Sequence, residues 1–156
     1  MGKQSKVTAI IPARYGSTRL PAKLLLDLQG KPIIQHVYER TSKAQLIDEV
    51  LIATDDERIE TLVKSFNGNV VMTSSSHETG TDRIAEVAEK LTSEIIVNVQ
   101  GDEPLIDPVV IDQAICPLLE DSKLMMSTTC ETINNLADIF NPNIVKVVLN
   151  HDSDAL

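Results

Sequence analysis

The chain has no tryptophan, and its rings are limited to Tyr15, Tyr38, Phe66 and Phe140, 3% of the residues. A base-stacking nucleic-acid platform needs a row of exposed rings, so that class is excluded. Positive charge is also short. Lys and Arg number 14 against 23 Asp and Glu, a formal net charge of −9. There is no basic footprint for a polyanion, and any phosphate site must be local. The two cysteines, Cys116 and Cys130, have no CxxC spacing, which excludes a zinc knuckle or a redox pair. Each lies in an apolar run, and they read as core thiols of a reducing compartment. No apolar run approaches the ~18 residues of a membrane span. The opening Met1-Gly-Lys-Gln-Ser-Lys6 leads into a run too short and too β-branched for a signal peptide, and Lys6 stands where myristoylation of Gly2 needs Ser or Thr. A cytoplasmic location is expected, with neither nucleic-acid binding nor membrane insertion.

What is present is an ordinary globular balance, with 42% hydrophobic and 24% charged residues over 156 positions. That length suits one domain, 1–156. Short β-rich runs alternate with helical patterns. Strands are predicted at Val7–Pro12, Glu49–Thr54, Asn69–Thr73, Ile95–Gln100, Met125–Glu131 and Val145–Leu149. Pro32 opens a helix with Ile33, Ile34, Val37 and Tyr38 on one face. Further helices are predicted at Glu57–Phe66, capped by Asp55-Asp56 and closed by Asn67-Gly68-Asn69, at Asp82–Leu91, from Pro108 onward, and near Asn135–Phe140. Pro117 should kink or shorten its helix. This alternation predicts an α/β sandwich with a mainly parallel sheet. Ligands then sit at the carboxyl ends of the strands, which directs attention to loops 13–31, 54–56, 74–82 and 101–107. Val145–Leu149 falls close to the end of the chain, where it would be a bare edge strand. The sequence therefore reads as a fragment.

Three of these loops carry chemistry. Pro12–Lys23 places Arg14, Arg19 and Lys23 with Ser17 and Thr18 directly after the first strand. Guanidinium forks and turn N–H groups in such a loop can face a triphosphate. The pattern is neither GxxxxGK[ST] nor GxGxxG, which disfavours a P-loop and a dinucleotide site. A solvated basic loop with surface ion pairs is the alternative. In Val97–Pro104, Asp102 sits on a glycine turn facing the same crevice. It could hold Mg²⁺, which takes one or two carboxylates plus substrate phosphates; it could equally cap its own turn. Glu103 is a weaker candidate. In His77–Glu86, Thr81 or Asp82 can cap the helix. Arg83 in the first turn runs against the helix dipole, which points to a nearby anion or to a salt bridge with Glu86. His77 reads as a loop hydrogen-bonder, and His36 and His151 lack partners at metal spacing.

Taken together, Ile11-Pro-Ala-Arg-Tyr-Gly-Ser-Thr-Arg-Leu-Pro-Ala-Lys23, Ala53-Thr-Asp-Asp56, His77-Glu-Thr-Gly-Thr-Asp-Arg83, Val97-Asn-Val-Gln-Gly-Asp-Glu-Pro104 and Asn141-Pro-Asn-Ile-Val-Lys-Val-Val148 closely resemble the 3-deoxy-manno-octulosonate (KDO) cytidylyltransferases, the CMP-KDO synthetases. The resemblance runs from about Val7 to Leu156. It implies a Rossmann-like three-layer nucleotidyltransferase fold, apparently truncated, with 1–156 as its CTP-binding part. The implied reaction is attack of the anomeric hydroxyl of KDO on the α-phosphorus of CTP, activating KDO for lipopolysaccharide synthesis. By similarity, Arg14, Arg19 and Lys23 would hold the triphosphate and Asp102 would ligate Mg²⁺. Ala13, Ser17, Thr18, Gln100 and Arg83 would line the nucleotide or sugar pocket. The resemblance also implies a homodimer for the full-length form, with a second metal-binding Asp and most of the sugar site beyond residue 156. Two positions depart from the family: Ala22 stands where Gly is usual, and Thr79 where Ser is usual. An Ala needs a β-region backbone there to be free of strain. Two rival readings are an acylneuraminate cytidylyltransferase and a non-catalytic module that binds nucleotide or a partner chain. His77–Arg83 and the Gln100–Pro104 run fit the KDO branch better.

Overall fold

A computed structural model describes residues 6–16, 22–151, 154 and 155. Strand β1 (Val7–Ala13) leads through a 3₁₀ turn (Lys23–Leu25) to a small antiparallel ribbon, β2 (Asp27–Leu28) and β3 (Lys31–Pro32). There follow α1 (Ile33–Thr41), β4 (Glu49–Thr54), α2 (Glu57–Ser65), β5 (Val70–Met72), α3 (Gly80–Ala88), β6 (Ile95–Asn98), α4 (Pro108–Glu120) and α5 (Leu136–Phe140). The main sheet has the order β5-β4-β1-β6, and every pairing in it is parallel. From β1 the chain steps outward through β4 to β5, then returns to the other side of β1 as β6. The order therefore reverses between β1 and β6, the position where open parallel sheets open a crevice.

Central β1 reads Val-Thr-Ala-Ile-Ile-Pro-Ala and is buried almost throughout, as a strand covered on both faces must be. Ala9, Ile11 and Ala13 face one core with Ile34 and Val37 of α1, Ile59 and Val63 of α2, and Ile111 and Ile115 of α4. Ile10, Leu51 and Ala53 face the other, with Ile84 and Val87 of α3. Three layers result. Local signals set the element ends. Asp56 caps α2 by accepting the Arg58 N–H. Asn67 takes φ 58°, so the Gly68 N–H reaches the Val63 carbonyl and the Asn67 N–H the Lys64 carbonyl, closing α2 as expected.

Several expectations are corrected. Met125–Glu131 forms no strand, and Val145–Leu149 contributes only one antiparallel bridge, Leu149 to Ala155. Both segments have the β-branched composition of strands, but a strand also needs a ladder partner and a layer to bury its apolar face. Met125 and Val145 are 91% and 92% exposed, so neither condition is met. Cys116 and Cys130 are exposed, not core thiols. Ile111 and Ile115 take the inward face of α4, which turns Cys116 outward, and Cys130 lies in the unpaired 125–131 segment. Pro117 does not end its helix, which continues to Glu120. Helix α3 begins at Gly80, with Thr79 as its cap instead of Thr81 or Asp82; Asp82 completes a reciprocal capping box.

Candidate functional site

Loop 99–107 comes unusually close to the end of β1. A Cβ added at Gly101 would lie 3.0 Å from the Pro12 carbonyl oxygen, a contact so tight that a side chain there would push the two backbones apart by a few tenths of an ångström. The approach delivers Asp102 to the crevice. Its Oδ2 accepts a hydrogen bond from Lys23 Nζ at 2.7 Å, joining the loop after β1 to the loop after β6. Both side chains are about half exposed. The two residues singled out for phosphate and metal thus meet at the reversal of strand order.

Ala22 precedes Lys23 and adopts φ 57°, ψ 20°, the left-handed region. The alanine therefore falls where an L-residue is strained, not in the β region. Hydrogen bonds on both sides hold it there: its N–H donates to the Tyr15 carbonyl at 3.0 Å, and its carbonyl accepts from Leu25 N–H at 2.8 Å.

Arg14 follows β1 and makes no ion pair with a described residue. The Asp82 carboxyl is held below its ordinary value, first by the Thr79 hydroxyl and backbone N–H, with His77 and Arg14 adding smaller attractions. Ala13 is the buried last residue of β1. Gln100 is exposed and donates to Asn98 Oδ1 at 3.1 Å, and Glu103 is exposed beside it. Ser17, Thr18 and Arg19 lie outside the described residues.

Arg83 is buried to 1% exposure. Its partner is Asp55 and not Glu86: Nη2 lies 3.0 Å from Asp55 Oδ2, and Nη1 donates to the Thr73 hydroxyl. Its Nε has no hydrogen-bond partner among the described residues. This cation is tolerated in the first turn of α3 because a carboxylate from the end of β4 compensates it. Glu86 instead gathers the Ser74 N–H, His77 and Lys90. Those donors, the Ser74 N–H foremost, bring its carboxyl down to about 2.

The sequence marks Asp55 and Asp56 as helix caps and as the end of the Ala53–Asp56 motif, with no further role given to either. Each in fact holds an arginine. Arg58 forks onto Asp56, Nε to Oδ1 at 2.8 Å and Nη2 to Oδ2 at 2.6 Å, and its guanidinium carbon stands 3.2 Å from the Tyr15 ring centroid. The Asp56 carboxyl is lowered chiefly by that arginine. The spacing Asp56-Glu57-Arg58 was the available signal. A separate open depression of about 460 Å³, lined by Lys6, Tyr38, Asp48 and Asn69 among others, lies at the amino ends of the strands. It is at the opposite end of the sheet from the converging loops.

A parallel sheet with Lys23 and Asp102 meeting at its switch point defines an α/β domain with a polar crevice at the carboxyl ends of its strands. Residues 8–156 match the cytidylyltransferase family, and the chain belongs to that family. It is 62% identical over 151 residues to the 3-deoxy-manno-octulosonate cytidylyltransferase of Geotalea daltonii, covering 97% of this chain and 60% of that protein. The enzyme of the same name from Geobacter metallireducens is 58% identical, with 97% and 59% covered. Among solved structures, CMP:2-keto-3-deoxy-manno-octonic acid synthetase complexed with CTP superposes with a TM-score of 0.89 at 43% identity, covering 97% of this chain and 63% of that one. A cytidylyltransferase from Leptospira borgpetersenii gives a TM-score of 0.67 at 30% identity, with 75% and 50% covered. The chain spans about three-fifths of the length of the curated relatives it matches. No helix among the described residues is long and apolar enough to cross a membrane.

Proposed function

We propose that this chain is the CTP-binding part of a cytidylyltransferase that couples CTP to KDO, yielding CMP-KDO and pyrophosphate. The observation that carries the reading is the meeting of Lys23 and Asp102 across the β1/β6 switch point. The anomeric hydroxyl of KDO attacks the α-phosphorus, the bond to the bridging oxygen of the β-phosphate breaks, and pyrophosphate departs. Arg14, Arg19 and Lys23 face the triphosphate and offset the charge that grows on the leaving group. Ala13, Ser17, Thr18 and Gln100 border the nucleotide or sugar. Arg83, buried on Asp55 and Thr73, would support this pocket from within the domain and not line it.

The residues fit a magnesium ion that takes most of its oxygens from substrate. Among the described residues no three metal-ligating side chains cluster, while Asp102 offers one half-exposed carboxylate, the share such sites commonly require. Bound there, Mg²⁺ would polarise the phosphates and neutralise their charge. Lys23 would exchange its carboxylate partner for phosphate oxygens as nucleotide enters. The setting we propose is the cytoplasm, with a homodimer for the full-length form.

The test is CTP binding by calorimetry with and without Mg²⁺. It is joined to pyrophosphate release with KDO or sialic acid offered, on this chain and on a version extended to the relatives' length. CTP binding that strengthens with Mg²⁺, and KDO-dependent release from the extended form, are expected. Release with sialic acid alone would favour an acylneuraminate enzyme, and absence of CTP binding would refute the proposal.

A further inference from the structure

Arg58 occupies the first turn of α2, where a cation opposes the helix dipole and an acidic residue is the favoured choice. Nothing in the packing of α2 requires it, since the buried face of that helix is Ile59 and Val63. Its side chain nevertheless has a defined place, with Asp56 gripping the guanidinium by two hydrogen bonds and the plane lying over Tyr15 at 3.2 Å. Tyr15 stands one residue past Arg14, and its carbonyl accepts the Ala22 N–H at 3.0 Å. Ala22 precedes Lys23, which reaches Asp102 at 2.7 Å. A continuous path of contacts thus runs from the end of β4 to the loop after β6: Asp56, Arg58, Tyr15, Ala22, Lys23, Asp102.

We infer that Arg58 is a positioning residue for the nucleotide site, acting through its stack on Tyr15 to hold the exit of β1 so that Arg14 and Lys23 face the crevice. The inference rests on the nucleotide-binding reading above. A cation over an aromatic face is attracted by the ring's quadrupole, and a planar guanidinium suits this better than an ammonium. The fork to Asp56 orients the guanidinium before the ring meets it. Arg58→Gln would remove fork and stack while leaving the α2 cap intact, because Asp56 caps through the Arg58 backbone N–H.

The experiment combines amide hydrogen exchange at Ala22, measured without nucleotide, with CTP affinity by calorimetry in Mg²⁺. It compares the parent chain, Arg58→Gln, Tyr15→Leu, Tyr15→Phe and the double variant Arg58→Gln/Tyr15→Leu. Arg58→Gln and Tyr15→Leu are each expected to speed Ala22 exchange about two- to fivefold and to weaken CTP binding by a similar factor, the yield of one exposed cation–π contact. Core amides such as that of Ile11 should keep their protection. Tyr15→Phe preserves the ring face and should match the parent, and the double variant should be no worse than either single change. Unchanged Ala22 exchange in Arg58→Gln, additive losses in the double variant, or a Tyr15→Phe as damaging as Tyr15→Leu would overturn the inference. So would faster exchange with CTP affinity intact. A parent chain that binds no CTP would refute the proposed function instead, and the nucleotide-free exchange would still decide whether the stack holds the loop.

Discussion

Ala22→Gly should make the protein more stable, an unusual expectation for replacing alanine by glycine. At φ 57°, ψ 20°, Ala22 places its Cβ against the following carbonyl. The cost for an L-residue is about 1–2 kcal/mol. Hydrogen bonds from its N–H to Tyr15 and to its carbonyl from Leu25 keep the backbone from relaxing out of that region. Glycine removes the strain but adds freedom to the unfolded chain, which costs about 0.4–1 kcal/mol. The net gain is about 0–1.6 kcal/mol, and its centre at about 0.8 kcal/mol raises Tm by about 2–3 °C for a chain of this size. Urea denaturation should show a higher midpoint with an unchanged slope. Ala22→Val is the counterpart, since a β-branched residue is an outlier in the left-handed region and should lower the midpoint. A glycine variant less stable than its parent, or a neutral valine variant, would refute the left-handed assignment and with it the aim given to Lys23.

Lys23→Ala should weaken CTP binding about tenfold or more while scarcely changing CMP binding, because a charge-assisted contact to the outer phosphates is worth ~1.5–3 kcal/mol; parallel losses in calorimetry would put Lys23 near the base or sugar. Asp102→Asn should abolish the difference between CTP affinities with and without Mg²⁺, and it should shift the unfolding midpoint little, since the ion pair it loses is half exposed. Arg83→Met should destabilise by about 2–4 kcal/mol in denaturant titrations, the toll of leaving Asp55 without its buried partner, tempered because Asp55 keeps some solvent access. Glu86 is lowered from its ordinary value to about 2 by the Ser74 N–H, His77 and Lys90. A depressed carboxyl stabilises above its unfolded value and loses that stabilisation as pH falls through the folded one. Glu86→Gln should therefore flatten the stability profile between about pH 4.5 and pH 2, and an unchanged acid limb in urea titrations would contradict the network.

The first two-thirds of the fold was legible because local and long-range signals agree there. In β1 a β-branched run coincides with burial on both faces, and in α2 the cap at Asp56, the Ile59 and Val63 spacing and the Asn67-Gly68 stop point to one answer. That Lys23 and Asp102 lie at the same end of the sheet was also legible, because strand-end loops of a parallel sheet converge whatever their detailed course. Their direct contact was not, since it depends on Gly101 passing the Pro12 carbonyl so closely that an added Cβ would stand 3.0 Å from its oxygen. Nor could spacing along the chain choose the partner of Arg83. Glu86 was one helical turn away, whereas Asp55 is brought in by a parallel crossover. Helical neighbours are easily read from sequence, and partners supplied by another strand are not.

The error over residues 121–150 has a different origin. Met125–Glu131 and Val145–Leu149 have strand composition, but β-propensity measures fit to a pleated, half-buried surface more than any backbone preference of its own. Here that surface is missing: β6 pairs with β1, and no described residue forms a ladder with its other edge. Leu136, Phe140 and Val148 are exposed along the same stretch, so its apolar residues contribute to neither core. Helix α5 survives in these surroundings because it needs no partner strand. Its Asn135 cap satisfies the Ala137 N–H locally, and its remaining bonds are internal. A helix can therefore be read from its own residues where a strand cannot, and the two failed strand assignments flank the one element in this stretch that was placed correctly.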